Sequence, residues 1–353
     1  MKRFTKFLAA TLALVLLVSM MSVALADDIT VVFIPKLSGN AFFESANVGA
    51  QAFAAENGFT VKYDGNPEAS VANQVAIIQN AINSGADAIC ISAVDAAGVD
   101  DALKEAREAG VVVTTWDSDS NADARTLMVS QGTPEQLGEM LVGMLADSLT
   151  ERGKNVKEDA ITYCWHYSQA TVTDQNSWHV AGEAYIAANY PNWVNVAPDN
   201  YYSEQDAEKA ITVGESILTA YPDIDGIICN DSTALPGQAQ AAQNLGIDAS
   251  KVTITGFAAP NSMKDFCRAG IVTRWGLWDC QIQGALGCYM AYLLANGQEI
   301  KVGDSVEVPG MGTVTLEPNT VLDPAAYTAD DSGVVLLPER AIFTAENMDN
   351  YDF

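Results

Sequence analysis

Two stretches of the chain share one grammar. Asp87-Ala-Ile-Cys-Ile-Ser leads through a helical stretch to Val111-Val-Val-Thr-Thr-Trp, and Asp225-Gly-Ile-Ile-Cys-Asn leads through another to Val252-Thr-Ile-Thr-Gly-Phe. Each apolar run is short, continuous and rich in β-branched residues, the pattern of a parallel strand covered on both faces. Parallel neighbours require a crossover of a dozen or more residues, usually a helix, so strand-helix alternation means a doubly wound α/β sheet. Two copies of the pattern imply two lobes of like topology.

The intervening sequence extends both copies. In the first, a strand at Ile29 to Ile34 precedes a helix from Ala41 to Asn57 that Gly58 stops, and a strand at Val61 to Tyr63 follows. Ser70 then caps a helix whose Val71, Val75, Ile78 and Ile82 recur at helical spacing. Ala86 to Ser92, Ala97 to Ala109 and Val111 to Trp116 complete this half. The pattern restarts with a strand at Ala160 to His166, a helix at Trp178 to Asn189, a strand at Trp193 to Val196 and a helical stretch at Ser203 to Tyr221. A strand at Trp275 to Trp278 and a helix at Cys280 to Leu294 suggest a return to the first lobe, followed by a hairpin near Gly310 to Gly312 and a strand at Val334 to Leu337. The expected division is a first lobe of 27–130 plus about 276–300, and a second of 131–275 plus about 330–353. A chain of 353 residues suits two such lobes.

The start of the chain sets the compartment. Lys2, Arg3 and Lys6 precede an apolar run from Phe7 to Val23, and Ala24-Leu25-Ala26 supplies small residues at both specificity positions of a cleavage site. Residues 1–26 therefore read as a cleaved signal peptide, directing the protein to the periplasm or the extracellular space. The formal net charge of −27 argues against nucleic acid or anionic lipid as partner, since both need a positive footprint. Cys90, Cys164, Cys229, Cys267, Cys280 and Cys288 show no close CxxC spacing; Cys90 and Cys229 read as buried small hydrophobes. Cys280 and Cys288 on one helix stand about 12 Å apart, too far for a disulfide. His166 and His179 fit no metal-ligand or triad spacing, and HExxH, GxSxG and Walker patterns are absent, so neither metal, cofactor nor catalytic chemistry is expected.

Two open α/β lobes joined by several crossings form a cleft, and ligands in such sheets sit beyond the carboxyl ends of the strands. That rule selects Lys36, Asp117 with Asp119, Asp174 with Gln175, and the stretch Asn230 to Gln238. A lysine following a buried strand needs acceptors nearby, and a carboxylate accepts from two neighbouring hydroxyls at once, which grips a polyol without covalent chemistry. Phe42, Phe43, Trp165 and Trp278 could cover the apolar face of a small ring. The same residue types also serve bland roles: Asp174 as a helix cap, Asp119 in a turn, Trp278 as core.

Ile34-Pro35-Lys36, Phe42-Phe43, Ser92-Ala93-Val94, Thr115-Trp116-Asp117-Ser118-Asp119 and Gln131-Gly132-Thr133-Pro134 continue in order with Thr171-Val172-Thr173-Asp174-Gln175, Ala234-Leu235-Pro236, Gly276-Leu277-Trp278-Asp279 and Leu336-Leu337-Pro338-Glu339-Arg340. Over essentially the whole mature chain this set resembles the autoinducer 2 receptors of the periplasmic sugar-binding family, relatives of the ribose and rhamnose receptors. The resemblance implies a periplasmic-binding-protein-like fold, no catalytic activity, and a monomeric receptor that delivers autoinducer 2 or a similar small sugar to the permease of an ABC importer. It carries ligand contacts onto Lys36, Asp117, Asp174 and Gln175, and onto Pro236 as a carbonyl acceptor. Gln238 stands where the family has a small residue, and Asn230 where it has proline; ribose-type receptors use asparagine there to bond a sugar hydroxyl. A rhamnose- or pentose-specific receptor is therefore the alternative ligand reading. A secreted carbohydrate-active enzyme, with Asp117 and Asp174 as acid and base, is the alternative of another class.

Overall fold

The computed structural model describes residues 29–328 and 332–353; the expected leader lies outside the described residues. The first sheet opens with β1 (Thr30–Ile34), then α1 (Ala41–Asn57), β2 (Thr60–Tyr63), α2 (Val71–Asn83), β3 (Ala88–Ile91), α3 (Ala96–Glu108), β4 (Val112–Trp116) and β5 (Leu127–Ser130). Asn40, Ser70 and Asp95 cap the three helices through side-chain acceptors, satisfying donors that a helix start leaves free. Gly58 ends α1 at a φ of 74°, a left-handed backbone that costs glycine nothing. β1, β3 and β4 are buried along nearly their whole length, as continuous apolar runs require.

The second lobe begins at α4 (Pro134–Glu151), which carries a full capping box between Thr133 and Gln136. It continues through β6 (Thr162–Tyr167), α5 (Thr173–Asn189), β7 (Val194–Asn195), β8 (Tyr201–Tyr202), α6 (Ala207–Ala220), β9 (Gly226–Cys229), α7 (Ala234–Asn244), β10 (Thr253–Gly256), α8 (Pro260–Arg268) and β11 (Trp275–Leu277). Its sheet runs β10-β9-β6-β7 with every pair parallel, and β8 extends beside the far end of β6.

The chain then crosses back. α9 (Cys280–Ala295) packs on α1, where small residues let the backbones meet: a Cβ on Gly284 would lie 2.3 Å from the Ala46 carbonyl oxygen, and one on Gly49 would lie 2.2 Å from that of Gln281. A hairpin of β12 (Ser305–Val308) and β13 (Gly312–Thr315) leads to β14 (Glu317–Pro318), β15 (Gly333–Leu336) and finally β16 (Ala341–Phe343).

These last strands correct the expected division of the lobes. β15 joins the first sheet, parallel to β5 with Val334 opposite Met128, so that sheet runs β14-β15-β5-β4-β3-β1-β2. Arg125 draws it there: its guanidinium, wholly buried, donates to both carboxylate oxygens of Asp119 at 2.6 and 2.7 Å, to the Gly333 carbonyl at 3.1 Å and to Asn319 Oδ1 at 3.0 Å. Only β16 and the chain end belong with the second lobe, where β16 pairs antiparallel with β11 and Asn261 donates its backbone N–H to the Phe353 carbonyl. β11 also stays with the second lobe, since Gly276 bridges to Phe257, and the crossing therefore falls at Trp278 and Asp279. Among the described residues three segments link the lobes: Gln131 to Thr133, Trp278 to Asp279, and Leu337 to Arg340. All six cysteines are buried free thiols.

Candidate functional site

The ends of β1, β4, β6 and β9 converge between the lobes. From the first lobe, Lys36 stands two residues beyond β1 and Asp117 directly beyond β4, with Lys36 Nζ 3.1 Å from Asp117 Oδ2 and both side chains buried. Asp117 has a φ of 58°, a conformation that a non-glycine residue adopts only when its surroundings compel it. Ser92 donates its hydroxyl to Asp117 Oδ2 at 2.7 Å. Gln74 on α2 ties the neighbouring loops together, donating to the carbonyls of Pro35 and Ser92 and accepting from Val94 N–H.

From the second lobe, Gln175 in the first turn of α5 accepts from Ser168 Oγ at 2.6 Å and donates to Asp231 Oδ2 at 3.4 Å. Asn230 and Asp231 follow β9; Asn230 Nδ2 donates to the Gln175 carbonyl at 2.9 Å, and Asp231 Oδ1 accepts the backbone N–H groups of Thr233 and Ala234, capping α7. Phe42, Phe43, Trp178, Phe257 and Trp278 close the apolar sides. Trp278 contacts three of them edge-on at centroid distances of 5.5 to 5.9 Å, inside the range where such pairs attract.

The lobes meet directly. Ser118 Oγ donates to Asp174 Oδ1 at 2.6 Å, and Asn40 Nδ2 to Thr233 Oγ1 at 3.3 Å. The space left between them is ≈ 30 Å³, room for a water or two but not for a sugar-sized ring. A ligand can enter such a site only if the faces part.

Electrostatics favour an uncharged guest. One ammonium, Lys36, faces the carboxylates of Asp117, Asp174 and Asp231. Burial works against the Lys36 ammonium, but those carboxylates outweigh it and hold its pKa above the ordinary value. Burial raises Asp174 to about 6, with Asp117 adding to the rise and Lys36 opposing it. Burial raises Asp231 as well, against the backbone donors and Lys36 that favour its ionised form.

Lys36, Phe42, Phe43, Asp117, Gln175, Asn230 and Trp278 all line this cavity. Asp174 stands at its edge, joined to Ser118 across the cleft. Pro236 and Gln238 lie outside the lining. Gln238 is wholly buried on the inner face of α7, accepting from His166 Nδ1 at 3.0 Å and donating to the Gly214 carbonyl, because one more turn of helix carries it past the strand end into the core. Trp165 is likewise core, its Nε1 bonded to Glu183, and Asp119 is committed to Arg125. Asp231, Ser232 and Thr233, inside the stretch that the strand-end rule selects, line the cavity too, whereas sequence reasoning did not single out Trp178, Gln205 or Phe257, which also line it. Phe257 does follow a strand end directly, and that position was the available signal.

A buried polar cavity between two α/β lobes with three linking segments defines a two-lobed solute receptor. The family described as "Periplasmic binding protein domain" matches residues 31–299, and the chain belongs to it. The structure of LsrB from Clostridium saccharobutylicum in complex with AI-2 (autoinducer 2) is similar at 68% identity, covering 92% of this chain and 100% of that one with a TM-score of 0.90. An ABC transporter solute binding protein from Clostridium phytofermentas with bound L-rhamnose shares the fold at 24% identity and a TM-score of 0.80, covering 92% and 98%. The D-ribose/D-allose-binding protein of Pseudomonas aeruginosa is 24% identical over 279 residues, 76% of this chain and 82% of that protein. The protein is thus an extracytoplasmic solute-binding receptor of an ABC importer, in a family that transports rather than catalyses.

Proposed function

We propose that this receptor binds autoinducer 2 as its neutral cyclic hydroxylated form, one molecule per monomer, and hands it to the importer's permease after hinge closure. The observation that carries this reading is the 68% identity, over 92% of the chain, to a receptor solved with that ligand. The charge pattern supports the neutral form: ligand hydroxyls donate to Asp117, Asp174 and Asp231, while Lys36 donates to a ligand oxygen. Binding stabilises the state in which both lobes touch the ligand, so closure follows from differential affinity for that state. Asn230 keeps L-rhamnose and D-ribose as the second reading, because an asparagine amide at this strand end bonds a sugar hydroxyl. Calorimetric titration of the purified mature chain with autoinducer 2, L-rhamnose and D-ribose tests both. Saturable binding of autoinducer 2 with weaker or absent heats for the sugars supports the first reading, and the reverse order supports the second. Recovery of the ligand unchanged distinguishes a receptor from a secreted glycosidase.

A further inference from the structure

The second lobe's wall contains one amide donor that the protein leaves unused, beside the acceptor Asn230 Oδ1. Of the amides lining it, Gln175 spends its Nε2 on Asp231 and Asn230 its Nδ2 on the Gln175 carbonyl. Gln205 also lines the cavity, is 7% exposed, and its Nε2 is buried without any hydrogen-bond partner. A buried amide donor with no acceptor is costly, and a folded protein seldom keeps one without a use.

The backbone that presents this side chain is itself unusual. Glu204 and Gln205 are consecutive non-glycine residues with φ of 53° and 58°. The end of β6 holds them there: Ser203 and Glu204 donate their N–H groups to the carbonyls of Tyr167 and Ser168 at 2.8 and 2.7 Å. Gln205 N–H then bonds to Ser203 Oγ at 3.3 Å, and Asp206 starts α6 as its cap. L residues visit this region rarely, and strain of this kind gathers where a side chain must be aimed.

We propose that Gln205 is a ligand-binding residue, the second lobe's hydrogen-bond donor to an oxygen of the guest, opposite Lys36 in the first. The proposal rests on the receptor reading above and deepens it. A polyol whose hydroxyl protons go to carboxylates keeps its oxygen lone pairs free, and those require donors. Lys36 supplies one from the first lobe; Gln205 supplies one from the second, so it is engaged only when the lobes close. Its contribution favours ligands with an oxygen on that side of the ring over analogues that lack one.

The test compares the parent with Gln205→Met, which keeps length and removes the donor, and Gln205→Glu, which keeps shape and turns the donor into an acceptor. Each is titrated with autoinducer 2, L-rhamnose and D-ribose, and unliganded melting is recorded alongside. The expected result is a loss of about tenfold in affinity for the parent's best ligand in both variants, with unliganded melting held or raised in Gln205→Met, which removes an unpartnered buried donor. Affinities within about twofold of the parent in either variant would overturn the assignment, since one neutral hydrogen bond in a closed site is worth more. A parent that binds none of the three ligands overturns the proposed ligand reading and this assignment with it, an outcome visible in the parent titration alone.

Discussion

Arg340 donates from Nη1 to the main-chain carbonyl of Gln131 at 2.6 Å and to that of Leu337 at 3.3 Å. One side chain thus ties together two of the three segments that link the lobes. The side chain of Gln131 reaches the other way, donating to the Asp117 carbonyl at 3.2 Å and to Asp174 Oδ2 at 3.5 Å, and accepting from Gln283 Nε2 at 3.0 Å. Gln283 in turn accepts the indole N–H of Trp278 at 2.6 Å. The linking segments and the cavity therefore share one hydrogen-bond network, with Gln131 at its centre.

Replacing Arg340 with Met keeps the apolar stem and removes the two hydrogen bonds from a charged donor. Bonds of that kind contribute about 1.5–3 kcal/mol each at most, and solvent at this half-buried position reduces the figure. The expected outcome is a loss of about 1–2 kcal/mol in urea unfolding, together with a larger radius of gyration for the unliganded protein in solution scattering. An unchanged scattering profile would detach Arg340 from control of the hinge.

Asp174 is the second residue of α5, whose N-cap, Val172, makes no side-chain capping bond. Asp174→Ala removes a carboxylate whose place at a helix start, about 0.3–1 kcal/mol of stability, is offset by its burial, but also an acceptor at the cavity edge, where the cost in affinity is about 1.5–3 kcal/mol. Calorimetry and thermal melting on the same preparation separate the two. A melting temperature that falls while affinity holds would return Asp174 to a purely structural role.

The raised pKa of Asp174 fixes the sign of one pH effect. Between the ordinary 3.8 and about 6, the folded protein holds a proton that the unfolded chain has released. Stability from this group is full below the lower value and is lost as pH rises through the window. Asp174→Asn lacks that loss, so its melting temperature should rise relative to the parent's as pH goes from about 4 to about 7. A constant difference across the window would show that the carboxyl is not held in its protonated form.

Gln238 separates core from cavity. Gln238→Ala strips His166 Nδ1 and the Gly214 carbonyl of their partners and leaves a void, which should cost about 2–3 kcal/mol in denaturant unfolding. Affinity should stay within about twofold, because the residue lies outside the lining. A large change in affinity with small change in stability would place it in the site after all.

Borate esters of autoinducer 2 are anionic, and three carboxylates already share the site with one ammonium. Burying a further anion there meets repulsion in a poorly solvated space. Affinity should stay the same or fall when borate is added to the titration. Tighter binding with borate, or boron in a bound crystal, would mean that the carboxylates carry protons when the ligand is held.

Much of this site is visible in the sequence because the strand-end rule works on chain order alone. Lys36, Asp117 and Asn230 each stand within two residues of a short β-rich strand that is buried along nearly its whole length, where the pattern is strongest. Gln205 escapes notice because β7 and β8 are only two residues each, too short to announce an end. Gln238 deceives because it follows a genuine strand end by a helical turn and a half, enough to rotate it from the cleft to the interior. The capping box of Thr133 and Gln136 does mark the start of α4, whose nine buried residues leave Glu135, Glu139, Asp147 and Thr150 on one exposed face. β15 could be seen as a strand but not assigned to a sheet, since its partner is chosen by Arg125 and Asp119, about 200 residues upstream.

That late strand also governs how the protein comes to exist. The first sheet takes strands from the beginning of the chain and, through β14 and β15, from near its end, while Arg125 waits in its middle for the Gly333 carbonyl. A chain emerging from a membrane in order cannot complete this lobe until almost all of it has crossed. The second lobe, drawn mainly from one unbroken stretch, has its sheet partners in hand much sooner. Contacts so distant in sequence close slowly, and the sheet whose first strands are translocated earliest is therefore the later of the two large sheets to be completed.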